Sequence, residues 1–163
     1  MTDFRYVTAW KKNDPQVEKD VLVTWRENKS LPGNASLEKR LAELCVIAYS
    51  GDEVAGISSI ELAYYPPLKR RFGFFRAFTV PKFGRQDIAR HLAVHCRDTI
   101  RDWSIAHPEE QISGMMAFYQ AKGMGRTPVG FSGLTLIGYS PEGYQVRLVW
   151  FDHIRIQTEA IQR

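Results

Sequence analysis

The chain has few cysteines, with Cys45 and Cys96 the only two in 163 residues. A distant pair makes neither a disulfide framework nor a four-ligand zinc site. Both read as reduced core thiols, because free cysteine is among the most buried residue types. Long apolar runs are missing too, and nothing approaches the roughly 20 residues that a spanning helix needs. The first residues, MTDFRYVTAW, lack a basic segment leading into an apolar one. No signal peptide is expected, and the expected compartment is the cytoplasm. Repeats, low-complexity segments and long linkers are also lacking. What is present is the composition of a soluble globular protein, 44% hydrophobic and 25% charged. One domain over residues 1–163 with one sizeable core is expected, burying about 70% of the unfolded surface. The formal net charge of +4 suits an anionic ligand such as a nucleotide cofactor. It permits nucleic acid without favouring it.

Strand and helix signals alternate along the chain. Phe4 to Trp10 reads as a strand. Asp14-Pro15 reads as an N-cap with proline at the first helical position, and Val17, Val21, Leu22 and Trp25 give residues 15–28 a helical stripe. Ser36 caps a short second helix carrying Leu37, Leu41 and Leu44. A hairpin follows, Cys45 to Tyr49 and Val54 to Tyr64, turning at Ser50-Gly51-Asp52-Glu53 and stopped by Pro66-Pro67. Phe72 to Val80 is an aromatic-rich strand. Ile88, Leu92, Cys96, Ile100 and Trp103 share one helical face. Trp103 to His107 reads as a short strand. Pro108-Glu109-Glu110 reads as the start of a helix with an apolar stripe of Ile112, Met115, Met116 and Tyr119, ended by Gly123. Leu134 to Tyr139 and Gln145 to Ile154 form a final hairpin.

This order, at this length, resembles that of the GNAT acyltransferase superfamily. Gly51-Asp52-Glu53-Val54-Ala55-Gly56-Ile57 resembles the family's second-to-third strand hairpin. Phe78-Thr79-Val80-Pro81, a loop and Ile88-Ala89 resemble its cofactor motif, a strand ending in Val-x-Pro and a loop of the form Arg/Gln-x-x-Gly-x-Gly/Ala. In that loop Gly84 stands where Arg or Gln is usual, Asp87 stands at the central glycine, and Ala89 fits. Met116-Ala117-Phe118-Tyr119-Gln120-Ala121-Lys122-Gly123-Met124 resembles the family's helix ending in a Tyr-x-x-x-Gly-Phe pattern. The resemblance implies an α+β fold: a mixed, mostly antiparallel sheet of about seven strands, flanked by about four helices and splayed at the cofactor site.

The implied chemistry is transfer of an acyl group from acetyl-CoA, or another acyl-CoA, to a small-molecule or peptide amine. The implied cofactor-binding residues are Phe78, Thr79, Val80, Gly84, Arg85, Gln86, Asp87, Ile88, Ala89 and Arg90. Backbone amides in such a loop and the first helical turn make a phosphate site, aided by the helix dipole. Asp87 brings a negative charge toward another one, a repulsion at about 4 Å of about 1 kcal/mol in water and about 4 at an effective dielectric of about 20. It would be avoided if Asp87 turned outward as a helix cap, and Arg85 and Arg90 could offset it. The strand amides of Phe78 to Val80 are implied oxyanion donors. Tyr119 is implied beside the cofactor sulfur, where a phenol of pKa about 10 could protonate a thiolate of pKa about 8.5. On its residues alone it reads as a core tyrosine.

Glu61 is a candidate base, against the plainer reading of a solvated strand carboxylate. His107 could face the cleft. His91 and His95 have metal-compatible spacing but no third ligand nearby, so no metal is expected. Lys69, Arg70, Arg71 and Arg76 among Phe72, Phe74 and Phe75 could hold nucleic acid, a phosphate or an acidic carrier, or form a solvated loop. Trp25, Tyr64, Tyr65, Phe131 and Tyr144 suggest an apolar acceptor pocket. Two other readings stay open. One is the same fold with an acyl carrier protein or an aminoacyl ester as donor. The other is a binding module without chemistry. The final hairpin could also pair with a second copy as a homodimer.

Overall fold

A computed structural model describes residues 3–156 except 32, 34, 35, 85, 121 and 122. In chain order the elements are β1 (Arg5–Thr8), α1 (Pro15–Glu27), α2 (Leu37–Ala42), β2 (Leu44–Ser50), β3 (Glu53–Tyr65), β4 (Arg70–Thr79), α3 (Ile88–Ala106), β5 (Ile112–Tyr119), β6 (Thr135–Tyr139) and β7 (Gln145–Trp150). The strands form one seven-stranded sheet in the order β1-β2-β3-β4-β5-β7-β6. Every neighbouring pair is antiparallel except β4 and β5. Parallel strands need a crossover, and α3 supplies it.

Local chemistry sets the helices. The Asp14 carboxylate accepts from the Gln16 amide at 2.9 Å, and Pro15 opens α1. The Ser36 hydroxyl accepts from the Lys39 amide at 3.4 Å and starts α2. The apolar stripe of α1, Val17, Val21 and Trp25, packs on Ile47, Val54 and Ile57. The stripe of α3, Ile88, Leu92, Cys96 and Ile100, packs on the opposite face against Ala55, Ile60, Met115 and Ala117. Burying each large side chain of this kind stabilises the fold by about 1.5–3 kcal/mol. Cys45 and Cys96 both lie in this core as free thiols. Trp25 is a core residue and not part of an acceptor pocket.

The second half departs from the expected order. Residues 103–107 are not a strand. They finish α3 and its C-cap, where the His107 amide bonds to the Trp103 carbonyl at 2.9 Å. Residues 112–119 are not a helix but β5. The backbone at Gln111 is left-handed, with φ 54°, and it separates the short 3-10 turn Pro108–Glu110 from the strand. The apolar stripe was real, but β5 is buried on both faces. Met115 and Ala117 meet α3, while Met116 joins Phe72 and Val146 on the other side. A strand buried twice shows no alternation and mimics a helical stripe. The described residues therefore hold three α-helices, where about four were expected. The Tyr119–Gly123 stretch begins at the end of a strand.

The parallel ladder is short. It pairs Arg71 with Ile112, Gly73 with Met115 and Phe74 with Met116, and ends there. Beyond that point β4 continues to Thr79 against β3, and β5 continues to Tyr119 against β7. The two strands part, and the sheet is splayed.

Candidate active site

The opening between β4 and β5 is the natural site. A cleft of about 340 Å³ lies against it, with Glu61, Tyr64, Phe74, Phe75, Arg76 and Phe118 in its walls. Phe74 and Phe75 are consecutive in a strand, so their side chains leave opposite faces of the sheet. Both can line one cleft only because the sheet is open there. Phe74 and Phe118 stand across the opening as parallel rings, 5.9 Å between centroids.

The open edge of β4 carries backbone groups with no ladder partner. Not all the expected donors are among them. The Val80 amide bonds to the Ala55 carbonyl at 2.9 Å, toward β3. Backbone groups alternate sides along a strand, so Phe78 also turns toward β3 while Thr79 and Ala77 face the opening. Of Phe78, Thr79 and Val80, Thr79 is the one whose amide faces the opening.

The loop from β4 to α3 forms a short 3-10 turn, Pro81–Phe83. Three of its expected phosphate donors are spent internally. Gly84 bonds to the Pro81 carbonyl at 3.1 Å, Gln86 to Phe83 at 3.2 Å and Arg90 to Asp87 at 3.1 Å. Ile88 and Ala89 sit in the first turn of α3, where amides lack intrahelical partners. The Ile88 side chain is buried in the core and anchors that turn. Arg85 lies outside the described residues. Asp87 occupies the N-cap position with φ 55°, but its carboxylate does not cap the helix. It turns to solvent and pairs with Arg90 at 3.4 Å. The expected helix cap is thus absent, and Arg90 offsets the Asp87 charge. A splayed edge and a helix start without an uncompensated anion fit an acyl-CoA, with fewer loop amides than the sequence implied.

Tyr119 ends β5 on the α3 side of the sheet and is half-buried. Its phenol pKa is raised, chiefly by burial, and the Arg147 guanidinium 4.9 Å from the ring centre offsets only part of that rise. Glu61 lies on the opposite face. Lys39 holds one of its oxygens at 3.1 Å and Arg76 grips the other. Glu61 is therefore neither a solvated strand carboxylate nor an unencumbered base. Sequence reasoning missed its neighbour Glu43. Glu43 is buried at the end of α2, 3.3 Å from Arg40 and 3.4 Å from Arg76. Burial, and then the Glu61 charge, raise its pKa.

Several other expected site residues lie elsewhere. His107 stacks on Trp103 at 4.4 Å. His91 and His95 both lie against the Tyr6 ring. Phe131 packs under Arg90 and His91 on the α3 side. Arg71 is held by Glu110 at 3.0 Å, and Arg70 stacks on Trp150. Arg70, Arg71 and Arg76 of the basic cluster are thereby each engaged by protein partners.

These features make up the fold that the sequence resemblance implied: a splayed seven-stranded sheet with its parallel pair joined by α3. No family model and no curated protein matches the chain. Solved structures do. A GNAT-family acetyltransferase from Streptococcus pneumoniae is 11% identical with TM-score 0.52, over 91% of this chain and 99% of that one. The Salmonella typhimurium protein yncA, solved with its cofactor acetyl-CoA, is 9% identical with TM-score 0.58, over 96% and 99%. The acetyl transferase from Salmonella typhimurium that modifies the N-terminal serine of the ribosomal protein L7/L12 is 14% identical with TM-score 0.50, over 92% and 94%. The chain has the fold of these acetyltransferases.

Proposed function

We propose that the protein is an N-acyltransferase that moves an acetyl or other acyl group from a CoA thioester to an amine, with both substrates bound together. The observation that carries this reading is the parting of β4 and β5 after Phe74, with Tyr119 on one side and the Glu61–Arg76 pair on the other. The yncA structure holds acetyl-CoA, which supports that donor here. The acceptor is a small-molecule or peptide amine, reaching the cleft past Tyr64 and Phe118.

Each group on this chain has a task in that reaction. The first turn of α3 faces the phosphates, and Arg90 keeps Asp87 from repelling them. The Thr79 amide polarises the thioester carbonyl. The amine nitrogen bonds to that carbon, the carbon–sulfur bond breaks, and the Tyr119 phenol gives its proton to the departing sulfur. The proton lost by the new amide nitrogen leaves through solvent or the Glu43–Glu61 carboxylates, and the phenolate recovers a proton from water. No covalent acyl-enzyme is involved, since both cysteines are buried core thiols.

The test is a thermal-shift titration with acetyl-CoA, followed by turnover of Tyr119→Phe. Binding should raise the melting temperature by linkage, and the variant should lose about 10²–10⁴ in kcat with nearly unchanged donor affinity. No shift at millimolar acetyl-CoA would exclude the CoA donor. The spent loop amides favour one alternative, a donor without CoA's phosphates, such as an acyl carrier protein or an aminoacyl ester. In that case acetyl-pantetheine would bind as well as acetyl-CoA. A binding module that has kept the fold without the chemistry would bind acetyl-CoA and turn nothing over.

A further inference from the structure

Arg147 is the largest fully buried side chain among the described residues, with 1% of its surface exposed. Arginine keeps its charge wherever it lies. A buried charge normally needs an ion-pair partner, yet no carboxylate lies within salt-bridge reach of Arg147 among the described residues. Its partners are neutral. Nε donates to the Gln145 side-chain oxygen at 2.8 Å, and Nη1 donates to the Leu134 carbonyl at 3.2 Å. Nη2 donates to the carbonyls of Gly125 and Thr127 at 3.0 and 2.6 Å. Its guanidinium carbon lies over the Tyr119 ring, 4.9 Å from the centroid.

Those carbonyls belong to the segment between β5 and β6, which has no α-helix among its described residues. Gly125 has a left-handed φ of 69°, and a Cβ there would push the Arg147 guanidinium, 2.9 Å away at Nη2, and the Gln145 amide out of place. At the hydroxyl end of the phenol sits Gly130. A Cβ on it would lie 3.9 Å from Tyr119 Oη and 3.8 Å from Arg147 Nη1. One guanidinium thus ties the segment to β7 and braces the ring at the mouth of the splay.

We infer that Arg147 is a positioning residue: it fixes the orientation of the Tyr119 phenol by stacking on its face while anchoring the 125–134 segment around it. This rests on the reading of Tyr119 as proton donor. Among the described residues Arg147 is the charged group that acts on the phenol. The surrounding segment contributes backbone carbonyls, and α3 contributes Arg97, already committed to Asp98 and the Ser132 carbonyl. The cation stabilises the phenolate that forms when the proton leaves, against the burial that opposes it. Geometry and charge therefore come from the same side chain.

The test uses the full-length protein with ¹³Cζ-tyrosine, its Tyr119 signal assigned by its loss in Tyr119→Phe. In Arg147→Met the Tyr119 titration should move to higher pH. The alkaline limb of kcat should move with it, and kcat should fall about tenfold or more. Arg147→Lys should restore part of the titration shift and little of the rate, because it returns the charge without the flat fork. An unmoved Tyr119 titration in folded Arg147→Met would overturn the inference. If Arg147→Met does not fold, the wild type decides. The Arg147 side-chain protons should be shifted upfield by the ring, and ordinary shifts would overturn the inference equally well. Should Tyr119→Phe keep full activity, the proton-donor reading fails, while a shifted titration would still establish the Arg147–Tyr119 coupling.

Discussion

Replacing Asp87 by glycine or asparagine isolates the one charge that stands where the family's loop has none. Three structural facts set the size of the effect. The Asp87 side chain is 62% exposed, its partner Arg90 is 57% exposed, and the two are 3.4 Å apart. In such an exposed position two charges about 4 Å apart interact by about 1 kcal/mol, not the about 4 kcal/mol of a half-desolvated site. Arg90 cancels part of that. Removing the carboxylate should strengthen acetyl-CoA binding by only about 2- to 5-fold, corresponding to about 0.4–1 kcal/mol. Asp87→Asn tests charge alone, because asparagine tolerates the left-handed backbone as aspartate does. Asp87→Gly also relieves the φ of 55°, but glycine loses more chain entropy on folding, so the two effects on stability should nearly cancel. Calorimetric titration of acetyl-CoA into each variant at low and moderate salt provides the measurement. The gain should shrink as salt screens the repulsion. Weaker binding in Asp87→Asn would refute the reasoning, since it would mean that the carboxylate helps to build the site. A gain of a hundredfold or more would show that the loop closes over Asp87 and desolvates it.

The core and the carboxylate cluster yield further expectations. Phe72→Ala, at a side chain with no exposed surface, should cost about 3–5 kcal/mol in urea unfolding; a loss under 1 kcal/mol would mean that β4 is not packed as described. Gly56→Ala places a Cβ 2.6 Å from Ile88 Cγ2 and 3.0 Å from Leu92 Cδ1, which should cost about 1–3 kcal/mol and push the first turn of α3 outward. Acetyl-CoA affinity should fall with the melting temperature, and unchanged affinity would separate that turn from the donor site. Glu43 has its folded pKa raised by burial and then by Glu61. A raised carboxyl pKa adds stability below its unfolded value and loses it as pH climbs through the folded value. Wild type should therefore lose stability relative to Glu43→Gln as pH rises from about 4 toward neutrality, and a flat difference across that range would refute the assignment.

The first two-thirds of the fold was legible because each element there carries its own signal. Asp14-Pro15 and Ser36 cap the helices they were expected to cap, and the stripes of α1 and α3 each face one layer. The failure at residues 112–119 has one physical cause. The contrast between faces that marks an amphipathic element disappears when both faces are buried, and Ile112, Met115, Met116 and Tyr119 then suit either period. Arg147 was hidden for the opposite reason, since an arginine in a terminal hairpin reads as a surface charge. Its phase was a usable signal. Arg147 and Val149 alternate with Val146 and Leu148, and Val149 packs toward α3. The pairings around Glu61 and Glu43 join residues 22 and 33 apart in sequence, which no local pattern records. These two misreadings belong together. Residues 120–134 were read around a helix starting before Tyr119, and a helix needs no outside partner for its backbone. The described part of that segment instead offers carbonyls to one buried guanidinium, which supplies donors where no regular structure does. Where sequence reading expected a helix to hold the tyrosine, a strand carries it and an arginine braces it.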